Sequence, residues 1–188
     1  AIAAANGTGA VNVASATSIT GTAAELVSVI NNSAEFAING AVNLVVTGAA
    51  DVSQATTIYN AISTGTKTFA IADNFSAVQA GNATVLAAAS SVTANGTDTP
   101  NTIDMSAFTT LQSLIIDGKE DNDILYGSPN ADVLYGGEGS DTLRGGNGGD
   151  TLWGGDGTNP DVEADTFQYS AAGQTAGTTA SYSGNNTT

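Results

Sequence analysis

The sequence predicts a mainly β protein: a right-handed parallel β-solenoid of N-terminal strand–helix repeats that continues into a C-terminal β-roll. Three observations predict it. A β-prone run, a turn and an Ala-rich stretch of helical spacing recur in the first part of the chain, with turns at Gly21, Gly48 and Asp73 that lie 27 and 25 residues apart. From Gly118 the chain reads in nines. Ile116 precedes Leu125 by the same nine residues, which favours one continuous stack over two hinged domains. The expected regions are 1–117 (strand–helix), 118–167 (roll) and 168–188, a small polar tail that reads as loosely ordered or as a truncated connection.

The expected strands of the first region are Glu35–Ile38 with Asn43–Val46, then Thr68–Ala72 and Leu111–Ile116. Helices are expected over Ala23–Ile30, Val52–Ile62 and Phe75–Ala89, each entered through a Thr, Ser, Asp or Asn that can cap it. Leu26, Val29 and Ile30 share a helical face, as do Ile58, Ala61 and Ile62, so each helix has an apolar stripe to lay on the strands. A β-sandwich with Ala-rich loops is the alternative reading of this region.

Composition narrows the chemistry. Of 188 residues 41% are apolar, enough for a core, and there is neither cysteine nor histidine. That removes disulfides, thiolate or imidazole metal sites and every Ser-His-Asp or Cys-His arrangement. Three bases, Lys67, Lys119 and Arg144, oppose eighteen acids, which excludes nucleic acid as a partner. Twelve of those acids fall between Asp117 and Asp165, so a positive species is expected there. No apolar run is long enough to span a bilayer, and no basic leader precedes an apolar stretch.

The nonapeptides start at Gly118, Gly127, Gly136 and Gly145; a fifth begins at Gly154, takes six inserted residues from Thr158 to Glu163, and resumes at Ala164-Asp165-Thr166-Phe167. Aligned, they give G-G-x-G-x-D-x-U-x with U a large apolar residue. The third and fourth copies match at every fixed position. The first carries Lys119 and Asp121 in place of two glycines, the second Ser128 and Asn130. Asn and Asp tolerate left-handed backbone, so these turns are expected to form with weaker sites. Glycines allow tight turns that aim carbonyls inward, and an aspartate every nine residues stacks carboxylates in neighbouring coils. Hard oxygen ligands of this kind suit calcium better than magnesium or a soft metal. Leu125, Leu134, Leu143, Leu152 and Phe167 would fill the interior. Five such side chains are few against some fifty residues to be ordered, so the metal-free roll is expected to be nearly unfolded and calcium to act as a folding ligand. A glycine-rich acidic linker has no reason to keep an apolar residue two places after each aspartate. A dinucleotide-binding G-x-G-x-x-G lacks its strand–helix context here.

The pattern resembles the RTX nonapeptide of haemolysin-type calcium-binding proteins, over roughly a quarter of the chain. The resemblance implies calcium between like-sided turns two copies apart, held by Asp123, Asp132, Asp141, Asp150 and Asp165 with carbonyls of Gly137, Gly139, Gly146 and Gly148. Pairing Gly118 with Gly136, Gly127 with Gly145 and Gly136 with Gly154 gives up to three sites, the last in doubt because of the insertion. Asp156, Asp161 and Glu163 offer an alternative loop site. The resemblance further implies a bacterial protein exported through a type I channel, with an uncleaved C-terminal signal explaining the missing leader.

Tyr126, Tyr135 and Trp153 follow the inward residue and are expected to point outward as a row, covering the roll flank or meeting a sugar or subunit. Seven Asn-x-Ser/Thr sequons are a small excess over chance. Nothing looks catalytic. The base-poor N-terminal region is similar to bacterial S-layer and large RTX surface proteins. The expected function is therefore a self-associating, calcium-dependent structural protein of the cell surface; the alternative is a fragment of an RTX adhesin that binds a glycan or protein.

Overall fold

The computed structural model describes residues 11–12, 17–32, 36–37, 42–62, 64–157, 163–168 and 185–186. In chain order the elements are β1 (Val11–Asn12), β2 (Ser18–Gly21), α1 (Ala23–Asn31), β3 (Phe36–Ala37), β4 (Asn43–Ala50), α2 (Val52–Ala61), β5 (Lys67–Asn74), α3 (Phe75–Ala80), α4 (Ala83–Ala88), β6 (Val92–Asn95) and β7 (Thr102–Asp104). They continue as β8 (Leu114–Lys119), β9 (Ile124–Tyr126), β10 (Asp132–Gly137), β11 (Thr142–Arg144), β12 (Thr151–Trp153), β13 (Ala164–Phe167) and β14 (Asn185–Asn186).

One seven-stranded parallel sheet, ordered β2-β4-β5-β6-β8-β10-β12, runs through both halves of the molecule. A second parallel sheet, β7-β9-β11-β13-β14, begins where the helices stop, and β1 pairs separately with β3. Each coil of the first half thus returns to the sheet through a helix, and each coil of the second half through a strand. Because every step is a parallel neighbour, side chains stack in columns. Ile116, Leu134 and Leu152 form one such column on the first sheet, and Ile103, Leu125, Leu143 and Phe167 form another on the second. All but Leu152 and Phe167 are fully buried.

The helices start where side chains can satisfy the free N–H groups of a first turn. Thr22 and Glu25 form a reciprocal capping box on α1, Asp51 and Gln54 another on α2, and Asn74 accepts from the Ala77 amide at the start of α3. Leu26 and Ile58 then lie buried in the core beside Leu44, Phe69 and Ile71 from the sheet. Among the described residues no helix is long and apolar enough to cross a membrane.

The structure differs from the sequence expectation at several elements. Gly48 is no turn between elements: it lies inside β4 at φ +82°, where the β4–β5 register shifts between Val45 and Ala49, and the strand runs on to Ala50. A bulge of the glycine type places one residue at positive φ, and glycine adopts that backbone without a Cβ clash. The single helix expected over 75–89 is two, because Gly81 interrupts it and Asn82 caps a new first turn by accepting from Thr84 and Val85. The strand expected at Leu111–Ile116 begins at Leu114, with Leu111 buried ahead of it. β3 covers the middle of the strand expected at 35–38 and pairs with β1 outside the main sheets; Glu35 and Ile38 lie outside the described residues.

Candidate metal centre

Each nonapeptide supplies a six-residue turn and a three-residue strand, and consecutive copies land on opposite sheets. Two copies therefore make one coil, and strand partners are 18 residues apart: Leu134 pairs with Ile116 and Leu152, Leu143 with Leu125. The turns stack in two columns. Turns 96–101, 118–123 and 136–141 cross from the seven-stranded to the five-stranded sheet, as does the chain between β12 and β13, and turns 127–132 and 145–150 cross back.

The five aspartates expected as ligands sit in these columns, none more than 5% exposed. Four of them are tied to the preceding coil through one oxygen, and Asp132 is held instead within its own turn by Ser128. Asp123 Oδ1 accepts from the Asn101 amide at 2.7 Å, Asp141 Oδ1 from Asp123 at 2.7 Å, and Asp165 Oδ1 from Asp141 at 3.0 Å. In the other column Asp150 Oδ1 accepts from the Asp132 amide at 3.1 Å. The second oxygens of Asp123, Asp150 and Asp165 are buried with no hydrogen-bond partner. Leaving a carboxylate oxygen in that condition costs more than leaving a neutral group so.

What faces these oxygens is more oxygen. A methyl on Gly118 would overlap both Asp123 Oδ2 and the Gly136 carbonyl, and one on Gly136 both Asp141 Oδ2 and the Gly154 carbonyl. Gly127 stands in the same relation to Asp132 Oδ2 and the Gly145 carbonyl. The stacked turns are thus Gly118 with Gly136, Gly136 with Gly154 and Gly127 with Gly145. Gly137, Gly139, Gly146 and Gly148 have φ of +112°, +127°, +104° and +113°. In that conformation they fit against the carbonyls of Lys119, Asp121, Ser128 and Asn130 in the coil before.

Burial is the main reason that Asp123 is pushed up to about 6 and Asp132 up to about 7; Asp150 and Asp165 are raised for the same cause. Repulsion from Asp121 and Asp117 adds at Asp123, from Asp150 at Asp132 and from Glu163 at Asp165. A buried cation removes both penalties at once. Among the described residues no three acidic side chains gather around one point, so such an ion would complete its shell with backbone carbonyls or water. Carboxylate and carbonyl oxygens, with no nitrogen or sulfur donor in reach, fit calcium.

Three sequence expectations change in detail. Lys119 and Asp121 adopt the left-handed backbone of the glycines they replace, at φ +90° and +69°; Ser128 and Asn130 do not, and are absent from the positive-φ residues. That turn closes by another route: Ser128 donates to Asp132 from its amide at 2.5 Å and from its hydroxyl at 2.9 Å. The six-residue insertion leaves the ladder intact, because Leu143 still pairs with Phe167 and Asp141 with Asp165. Tyr126, Tyr135 and Trp153 form no single row. Tyr135 and Trp153 neighbour each other on the first sheet, Tyr126 stands on the second between Asp104 and Arg144, and all three are half-buried. Of the alternative loop site, Asp156 and Glu163 are exposed and Asp161 lies outside the described residues.

Two features escaped the sequence reading. Gly96 and Asn101 occupy the positions of Gly118 and Asp123 one coil earlier, with Ile103 at the apolar position. The spacing Gly-x4-Asn-x-Ile was visible, but the 13 residues from Met105 to Asp117 break the period of nine. The hydroxyl of Ser128 was read only as a missing glycine.

Residues 115–143 and 135–159 match the family model described as the RTX calcium-binding nonapeptide repeat in four copies. No curated protein and no solved structure matches the chain.

Proposed function

Because the chain carries RTX-type calcium-binding nonapeptide repeats, we propose that it is a secreted structural protein of the bacterial surface, whose copies join into a layer or fibre when calcium is present. The observation that carries this reading is the continuity of the seven-stranded sheet from β2 to β12. Calcium that orders the roll then completes one long body, and the sheet edge at β12, the last strand of that sheet among the described residues, offers backbone to another copy. A net charge of −15 opposes association until cations bind. In a calcium-poor cytosol the roll stays unfolded, which suits export through a type I channel, and it folds in the millimolar calcium outside. We assign no catalysis: the buried carboxylates serve as ligands, and the chain holds no histidine or cysteine.

The test is a calcium titration followed by circular dichroism and light scattering on one sample, beside an Asp141→Ala/Asp150→Ala control. β-signal and particle size are expected to rise together, and to stay flat in the control. Folding without growth in particle size removes the assembly reading.

A second reading, a surface adhesin, is favoured by a cleft of ≈ 430 Å³ beside the second sheet. It places Tyr126 among Asp104, Ser106, Arg144 and Asn147, an aromatic face with polar groups around it, as a sugar ring would need. A calcium-folded monomer that binds glycans, and loses them on Tyr126→Ala, would favour this reading over assembly.

A further inference from the structure

The two columns of turns do not begin as they continue. The first begins with Gly96-Thr97-Asp98-Thr99-Pro100-Asn101, whose strand pairs Thr102 with Ile124 and Ile103 with Leu125. Here the Thr97 amide donates to Asn101 Oδ1 at 2.7 Å, and Asn101 Nδ2 donates to Thr97 Oγ1 at 2.9 Å. The second column begins at Asp132, whose partner on the preceding coil is the apolar Leu114. Its two oxygens are taken by the amide and hydroxyl of Ser128. In both turns a hydroxyl residue at the second position holds the side chain at the sixth. The later turns carry Lys119, Gly137, Gly146 and Gly155 at that second position, none with a hydroxyl. In three of these turns the sixth side chain, Asp123, Asp150 or Asp165, keeps a buried oxygen with no hydrogen-bond partner.

We propose that Thr97 and Ser128 are internal latches that stand in for a cation and so fix where each calcium column starts. At Asp132 an amide and a hydroxyl converge on the carboxylate and supply the partial positive charge that an ion supplies elsewhere; at Asn101 the Thr97 amide supplies it to Oδ1, while the Thr97 hydroxyl accepts from Nδ2. Asn101 is neutral and its polar atoms are met within its own turn, so the gap between turns 96–101 and 118–123 holds no ion. Asp132 is a carboxyl group that can ionise as a ligand, so the gap between turns 127–132 and 145–150 does take calcium, but only by exchanging the Ser128 bonds for it. That site fills last.

The inference rests on the stacked aspartates being the calcium ligands, and the experiment separates the two. Calcium chloride is titrated calorimetrically into the full chain, with folding checked by circular dichroism. The wild type is expected to show a tight class and one weaker site. Ser128→Gly should tighten that weaker site about tenfold or more, on the scale by which groups around a metal shell tune affinity. Thr97→Gly/Asn101→Asp should add one ion. Ser128→Ala, which removes only the hydroxyl, gives a gentler version with the same sign. Wild-type binding that neither Ser128 variant alters, with no added ion in the double variant, overturns the latch. A wild type that binds no calcium overturns the reading beneath it.

Discussion

The helical coils and the roll share one sheet yet stand on different physics. In the helical coils the second layer is built of amphipathic helices that bring Leu26, Ile58, Val78, Val85 and Leu86 down onto the strands. In the roll the second layer is a sheet of short strands that each bury one residue, such as Leu125 or Leu143. Conversely, all six buried polar side chains among the described residues, Ser128 and the five aspartates, belong to the roll. One region is held by what it excludes from water. The other is arranged around buried carboxylates, and its order is expected to depend on an ion's concentration.

The largest effect that sharpens this contrast is calcium removal. Chelation is expected to abolish amide protection from β8 onward while β4, β5 and the helices keep theirs, which hydrogen exchange read by mass spectrometry will resolve. Uniform loss across both regions would break the comparison. Next, Ile58→Ala empties a fully buried position under α2 and should cost about 2–5 kcal/mol in thermal or denaturant unfolding of the helical coils, with the calcium midpoint of the roll little changed. Gly136→Ala acts the other way. Its methyl overlaps Asp141 Oδ2 and the Gly154 carbonyl, and the expected cost is about 1–3 kcal/mol, read as a higher calcium midpoint. Gly149→Ala, which meets nothing within 4 Å, is its control.

The smallest effect concerns protons. With burial holding Asp123 at about 6 and Asp132 at about 7, above the ordinary 3.8, the folded roll binds protons more readily than the unfolded chain. The resulting stability is complete below the ordinary value and is lost as pH rises through 6 to 7. Chelator-treated protein should therefore gain β-signal on acidification. Saturating calcium should reverse the trend, because protons then compete with the ion. An apo signal that grows with pH would contradict the burial described.

How far this was legible from residues alone depended on the kind of pattern. The roll was open to reading because its period of nine is imposed by geometry, one aspartate and one inward residue per half coil. Helix starts were legible where a capping residue stands before an apolar stripe, as at Thr22 and Asp51. Long-range pairing was not. β6 and β7 are four and three residues long, and Val92-Thr93-Ala94-Asn95 carries too little alternation to mark a strand without the neighbours Ile71 and Leu114 that pair with Val92. Gly48 illustrates the converse, since glycine reads equally as a turn between elements or a bulge within one. At Ser128 the aligned pattern showed which residue was missing and not what its replacement could bond.

The carboxylate ladder also has mechanical polarity. In the first column Asp123, Asp141 and Asp165 are each held by an amide of the coil before, so that column resembles a zipper with its closed end at Asn101. Pulled from the end beyond β13, it should peel one coil at a time, each 18-residue coil releasing roughly 60 Å of chain, with the coil that carries the insertion releasing more. Calcium would then set the force of every step and leave the step length unchanged.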